Sequence, residues 1–256
     1  MGKKLLLFFM PLLLIAGPSQ LFFGLKITYV ELKFDAEPNL VFSAGDQDFT
    51  IDGVFGGVEF GYLYKKFQGA YAFLGGNYLD GSFSNSPHPS RNTWQVQAET
   101  RVGYNYVARQ GLSVIATPYL GLGFLYDHQD RKSFGAVAST TFAYYKIYLP
   151  VGCIIDYKVY ERMHVGLHFQ WRPDLDSTLR ISSLPNERYI LHRENDQLLV
   201  EVPFDFYVGD CLDWKISLVP FWQKIKEGAT LNQTTLALPE QTLTYWGVNI
   251  LGAYQF

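Results

Sequence analysis

From Met163 to Arg172 apolar and polar residues take turns. Met163, Val165, Leu167, Phe169 and Trp171 have one parity, and His164, His168, Gln170 and Arg172 the other. A period of two belongs to a β-strand, whose successive side chains point to opposite faces. The pattern recurs along the chain. In Thr93–Ala108, Trp94, Val96, Ala98, Val102, Tyr104 and Tyr106 oppose Gln95, Gln97, Glu99, Arg101 and Asn105. Leu112–Asp127, Tyr145–Val159, Gln197–Val208 and Trp214–Lys226 alternate in the same way, as does Thr242–Phe256, with Trp246, Val248, Ile250, Tyr254 and Phe256 on one side. Val54–Tyr64 puts Val58, Phe60 and Tyr62 opposite Glu59. Leu25–Phe34 is read with Val30, Leu32 and Phe34 outward and Tyr29, Glu31 and Lys33 inward. Gly69–Phe83 carries aromatic residues on both parities, and a bulge at Gly75-Gly76 would reconcile them.

The connections alternate in length. Those at 65–68, 109–111, 160–162 and 209–213 are short; those at 35–52, 84–92, 128–138, 173–196 and 227–241 are mostly long and polar. About ten strands, each long enough for the roughly 9–11 residues of a tilted span, satisfy a bilayer only if the sheet closes on itself. The expected fold is all-β: a closed antiparallel up-and-down transmembrane β-barrel with apolar residues outward and a charged lumen, its short turns at the periplasm. A soluble secreted barrel would need the reverse polarity. Hairpin geometry adds register. Arg109-Gln110-Gly111 as a three-residue turn places Glu99 opposite Gly121 and Arg101 opposite Tyr119; Tyr160-Glu161-Arg162 places Lys158 opposite His164.

The start of the chain changes the compartment. Two lysines, an apolar run interrupted by Pro11, then Gly17 and Ser19 read as a secretory signal peptide cut near Ser19, an uncleaved anchor being the other possibility. The expected division is 1–19 signal peptide and 20–256 barrel. A formal charge of -3 over 256 residues gives no reason to expect nucleic acid as a partner.

With the export signal, the F-G-G-V-E-F-G-Y run (Phe55 to Tyr62) and the terminal A-Y-Q-F in place, the chain resembles small bacterial outer-membrane β-barrels of the OmpA/OmpX-like superfamily. The resemblance covers nearly all of the chain after the signal. It implies an outer-membrane location, lipid as the surrounding medium, and a C-terminal strand read by the barrel-assembly machinery. Val248, Ile250, Tyr254 and Phe256 match that assembly signal; Gly252 departs from it.

Parity assigns an inward charged set: Glu59, Glu99, Arg101, Lys146, Asp156, Lys158, His164, His168, Arg172, Glu201, Asp205 and Lys215. At about eight strands a lumen is just wide enough for side chains to fill, so opposite charges are expected to pair. The same reading puts Asp156 diagonal to His164 and His168, and Asp205 diagonal to Lys215. The two histidines stand roughly 13 Å apart along one strand, too far for a chelate, and neither a metal nor a cofactor is expected. The triplets His88-Pro89-Ser90, Asp46-Gln47-Asp48 and Asp174-Leu175-Asp176 fall in polar loops, where these residues are ordinary turn formers. Cys153 is expected to face lipid and Cys211 to sit in a periplasmic turn, so no disulfide joins them. Trp94, Trp171, Trp214, Trp222 and Trp246, near strand ends, suit interfacial anchoring. The expected role is a structural or narrow-pore barrel without enzymatic activity. A surface protein that binds a ligand or host through its loops, and a rim enzyme acting on lipid A or peptides, are the alternatives.

Overall fold

The structure, a computed structural model, describes residues 19–34, 49–83, 91–107, 114–131, 139–182, 188–190, 196–209, 212–227 and 241–256. They form strands β1 (Ser19–Phe34), β2 (Phe49–Lys65), β3 (Gly69–Phe83), β4 (Arg91–Val107), β5 (Val114–Arg131), β6 (Thr140–Tyr148), β7 (Val151–Tyr160), β8 (Met163–Ile181), β9 (Arg188–Ile190), β10 (Asp196–Glu201), β11 (Phe204–Val208), β12 (Trp214–Glu227) and β13 (Gln241–Gln255). β6 and β7 share one place in the wall, interrupted at Leu149-Pro150; β10 and β11 share another, interrupted at Val202-Pro203. Proline cannot donate to a ladder, so the strand programme breaks there. Neighbours still bridge both breaks: Leu149 donates to Pro173 O at 3.0 Å, Val202 to Pro220 O at 3.0 Å, and Gly166 to Pro203 O at 2.8 Å. β9 pairs only with β8. Among the described residues this leaves ten wall positions.

All pairings are antiparallel, and the sheet closes. β1 pairs with β2 on one side and β13 on the other, and the seam ends with Ser19 and Phe256 exchanging backbone hydrogen bonds at 3.2 and 3.0 Å. Closure matters because an open edge in hydrocarbon has no water to satisfy it. Ser19 opens β1; the rest of the expected signal peptide lies outside the described residues.

The outward face is a belt of Leu, Ile, Phe and Val. Phe23, Ile27, Phe60, Leu120 and Ile216 are 51–60 % exposed, whereas Glu99, Lys146, Gln170 and Arg172 are 0–4 % exposed. This is the inside-out polarity that lipid selects. Ile250, Tyr254 and Phe256 lie on the same outer face.

Polarity turns over toward the long-loop end. There Glu31, Asp80, Asn92, Asp130 and Arg180 are exposed, while Val30, Leu32, Ile51, Phe55, Phe83, Leu125, Ile225 and Leu243 pack together inside. With 14–19 residues, the longer strands exceed the roughly 9–11 that a tilted crossing uses. The excess forms a cap above the lipid, and a cap in water needs its apolar residues inside.

This turnover corrects the reading of β1. Val30 and Leu32 point inward and are fully buried; Tyr29 and Glu31 are exposed. Leu21, Phe23, Leu25 and Ile27 form the lipid face instead, and Lys26 and Thr28 turn inward. The apolar parity of Val30 and Leu32 belongs to the cap, where the lipid rule is reversed; the side chain of Phe34 lies outside the described residues. β3 shows no bulge: its ladders to β2 and β4 run unbroken through Gly75-Gly76, with Tyr71 and Phe73 inward and Leu74 and Tyr78 outward. The β4–β5 register is also displaced from expectation. Glu99 faces Gly123 and Arg101 faces Gly121, because the ladder begins at Val107–Ile115 and so encloses a longer turn. The slip is even, so every side chain keeps its face.

Lys158 does face His164, with an irregularity before Tyr160. Several strands run further than expected: β5 continues to Arg131 and β8 to Ile181. Asp174-Leu175-Asp176 therefore lies in β8, at a register shift opposite Ile147 and Tyr148, not in a loop. His88-Pro89-Ser90, Asp46-Gln47-Asp48 and Cys211 lie outside the described residues. Cys153 is a free thiol on β7, sharing outward parity with Val151 and Ile155.

Aromatic rings cluster at both ends of the belt. Tyr78, Trp94, Tyr126 and Tyr145 form a chain with centroid separations of 6.5, 4.9 and 4.8 Å on the loop side. Trp214, Tyr254 and Phe256 do so on the turn side, at 5.0 and 6.3 Å. Such girdles suit the two membrane interfaces. Trp171 falls near the middle of β8 rather than at its end, since that strand extends into the cap.

Candidate functional site in the barrel lumen

The lumen has two layers. The cap end is filled by the apolar cluster, to which Leu199 (β10), Phe221 (β12), Tyr245 (β13) and the fully buried Tyr148 (β6) also contribute. Below it lies an ionic layer built from inward positions of β1, β2, β4, β5, β8, β10, β11 and β12. A cavity of about 380 Å³ runs beside this layer, lined by Glu59, Glu99, Arg101 and Arg172 and, toward the short-turn end, by Lys66, Phe67, Asp156, Tyr207 and Gln255.

Glu99 is the node of the ionic layer. Its carboxylate accepts from Arg101 Nε, from Gln170 Nε2 at 2.6 Å and from Tyr148 OH at 3.0 Å, and Arg172 Nη2 stands 3.3 Å away. The Gln97 amide is set by its neighbours: with its oxygen turned toward Arg172, it accepts from both terminal nitrogens at 3.1 Å. Three strands, β4, β6 and β8, thus converge on one buried carboxylate. Arg101 also lies over the Phe73 ring at 4.4 Å, and Arg172 over Tyr148 at 5.3 Å. Buried charge survives only when paired and hydrogen-bonded, which this arrangement provides.

Glycines make room for the node. Glu99 has Gly75 as its partner on β3 and Gly123 on β5. The Tyr148 ring occupies the place of the missing side chain at Gly123: a Cβ there would stand 2.1 Å from Tyr148 Cζ. Gly123→Ala is therefore expected to lower stability by about 1–3 kcal/mol, the usual range for overpacking. Urea titration of the barrel in lipid measures it; an unchanged midpoint would mean that Tyr148 can leave its slot freely.

A second chain of polar groups runs beside the node. Glu201 Oε2 bonds His168 Nδ1 at 2.5 Å, and His168 Nε2 meets Tyr119 OH at 2.5 Å. Both ring nitrogens of His168 are thus engaged. Lower down, Lys215 Nζ donates to Asp205 Oδ2 at 3.2 Å, and Ser217 Oγ to Asp205 Oδ1 at 2.6 Å. Asp156 pairs across the lumen with Lys65 of β2, and not with the histidines diagonal to it. Lys146 and Asp174, both buried, approach to 3.9 Å on the cap side. His164 packs its ring on Tyr207 at 4.8 Å. Lys158 is exposed at the turn end, outside the packed lumen. Glu59 accepts from Asn249 Nδ2 at 3.0 Å.

The structure therefore brings Glu99, Arg101, Arg172, His168 and Glu201 into one connected layer and leaves Lys158 apart. Sequence reasoning missed Lys26, Tyr119, Tyr148, Lys65 and Gln170 as members. Lys26 was hidden by the reversed face of β1. For the others, parity gives a side but not a partner across the barrel.

Closed seam, lipid belt, paired girdles and polar lumen define the class: a transmembrane β-barrel of the outer-membrane kind. A solved structure agrees on the fold. Outer membrane protease OmpT from Escherichia coli superposes with a TM-score of 0.61 at 10% identity, covering 93% of this chain and 97% of that one. The translocator domain of autotransporter NalP from Neisseria meningitidis gives 0.46 at 10% identity over 100% and 94% of the two chains. The beta domain of the Bordetella autotransporter Brka gives 0.45 at 10% identity over 93% and 100%. No protein-family model matches the chain. No curated protein matches it in sequence.

Proposed function

We propose that the chain is a structural, non-conducting and non-enzymatic barrel of the bacterial outer membrane, with its short turns at the periplasm. The observation that supports this most is the double closure of the lumen. The Glu99 layer ties β4, β6 and β8 together across the interior, and the apolar cluster seals the cap above it. An ion crossing this route would have to break the ionic layer and then pass a dry core. His168, with both nitrogens engaged, is not free to act as a base. The outward Val248, Ile250, Tyr254 and Phe256 of the final strand serve, on this reading, as the signal for assembly into the membrane.

Planar-bilayer recording of the purified barrel tests the proposal. Silence at applied potentials is expected. A stable unitary conductance would overturn it in favour of a pore.

A further inference from the structure

We propose that the cavity beside the ionic layer binds a small zwitterion with an apolar tail, the chemistry of a free apolar amino acid or a very short peptide. The inference goes beyond the sealed-barrel reading, because a cavity can hold a ligand without conducting.

Two polar groups on the cavity wall lack the partners that burial demands. Lys26, 6 % exposed, has no hydrogen-bond or ion-pair partner among the described residues, and its ammonium rests over the Phe221 ring at 4.2 Å. Asn249, its partner in the β1–β13 register and 1 % exposed, has an Oδ1 with no donor. Both line the cavity. An orphaned buried carbonyl oxygen is costly, and an ammonium facing the cavity without an acceptor is ready to take an anion.

The sign of the missing group follows from what stands beside them. Asn249 donates one amide hydrogen to Glu59, whose carboxylate makes no ion pair among the described residues. Lys26 faces Gly57 in the β1–β2 register, two positions from Glu59, which puts the two charges on diagonal sites of one inner face. Diagonal sites lie roughly 7–8 Å apart, too far for direct pairing unless both side chains lean together. Most other cavity charges are matched: Arg101 and Arg172 with Glu99, Lys65 with Asp156, Lys215 with Asp205, His168 with Glu201; Lys66 is exposed on the turn at the short-turn end. What is left on this wall is one cation and one anion. A ligand satisfying both carries a carboxylate for Lys26 and an ammonium for Glu59 and Asn249 Oδ1.

Part of the remaining wall is aromatic. Phe22 and Phe73 stack with centroids 5.9 Å apart and line the same cavity. A volume of about 380 Å³ falls in the range of small-molecule sites. It admits an aromatic amino acid and excludes a long peptide.

Calorimetric titration of the full barrel in lipid nanodiscs tests this with three probes: L-phenylalanine, N-acetyl-L-phenylalanine, which lacks the cation, and phenethylamine, which lacks the anion. L-Phenylalanine is expected to bind saturably, with both analogues weaker by about tenfold or more. Glu59→Gln is expected to abolish the preference over the N-acetyl compound, and Lys26→Met the preference over phenethylamine. Equal affinity for the three probes, or no saturable binding up to about 10 mM, overturns the proposal. The probe series uses the wild-type protein, so it decides even if a variant fails to fold. Conductance does not enter the readout, so this result and the sealed-lumen result stand or fall separately.

Discussion

Glu99→Ala is expected to lower the stability of the folded barrel by about 3–5 kcal/mol, the cost of removing one partner from a buried ionic group. The carboxylate is 4 % exposed and holds two guanidinium groups, an amide and a phenol. Without it Arg101 and Arg172 keep their charges with no carboxylate beside them, and Gln170 and Tyr148 lose an acceptor. Most of the loss therefore comes from the groups left behind, not from the contacts removed. Glu99→Gln keeps an acceptor but not the charge, and should lose less. The order Ala worse than Gln separates the electrostatic role from simple filling. Urea titration in lipid vesicles reads both. If Glu99→Ala unfolds at the wild-type midpoint, the buried layer does not hold the wall together.

Leu167→Arg should cost about 2–4 kcal/mol when the barrel folds into a bilayer, because a cation near the midplane of the lipid face is that unfavourable. Leu167 is 45 % exposed, faces Ile155 on β7, and sits between Val165 and Phe169 on the same side. Asp176→Arg, further along the same strand on an exposed position of the cap, serves as the control. It should change stability by less than about 0.5 kcal/mol, as surface substitutions usually do. Equal costs at the two sites would mean that the belt does not end where polarity turns over.

That turnover marks the limit of what the sequence discloses. In β4, β7, β8, β11, β12 and β13 the alternation is long and of one sign through the lipid, and parity gives the correct face. Lys146 and Tyr148 could be placed inward, and Ile147 outward, without coordinates. β1 fails because Val30 and Leu32 obey the water-phase rule of the cap, while Leu21 to Ile27 obey the lipid-phase rule. A strand crossing from one solvent to another keeps its parity while its hydrophobic set changes sides. Sequence alone does not mark where the solvent changes.

Register was legible only in part. Asp205 diagonal to Lys215 and Lys158 opposite His164 come from short turns with little freedom. The β4–β5 turn is longer, and a slip of two leaves the hydrophobic pattern equally satisfied. Pairings across the lumen were not legible. Lys65 and Asp156 are 91 positions apart, and Glu99 and Gln170 are 71 apart. Their meeting depends on barrel diameter and stagger, which no local spacing encodes. The inward facing of Lys26, and with it the binding cavity, was lost with the face of β1.

Site-directed labels along β1 probe the change of solvent directly. A fluorophore is attached to single cysteines at positions 23, 25, 27, 30, 31 and 32, with Cys153 and Cys211 replaced. Quenching by brominated lipid is compared with quenching by aqueous iodide. The expected pattern is lipid quenching at Phe23, Leu25 and Ile27, iodide quenching at Glu31, and protection from both at Val30 and Leu32. Lipid quenching at Val30 and Leu32, with Leu25 and Ile27 silent, would contradict a barrel that is inside-out in the membrane and right-way-out above it.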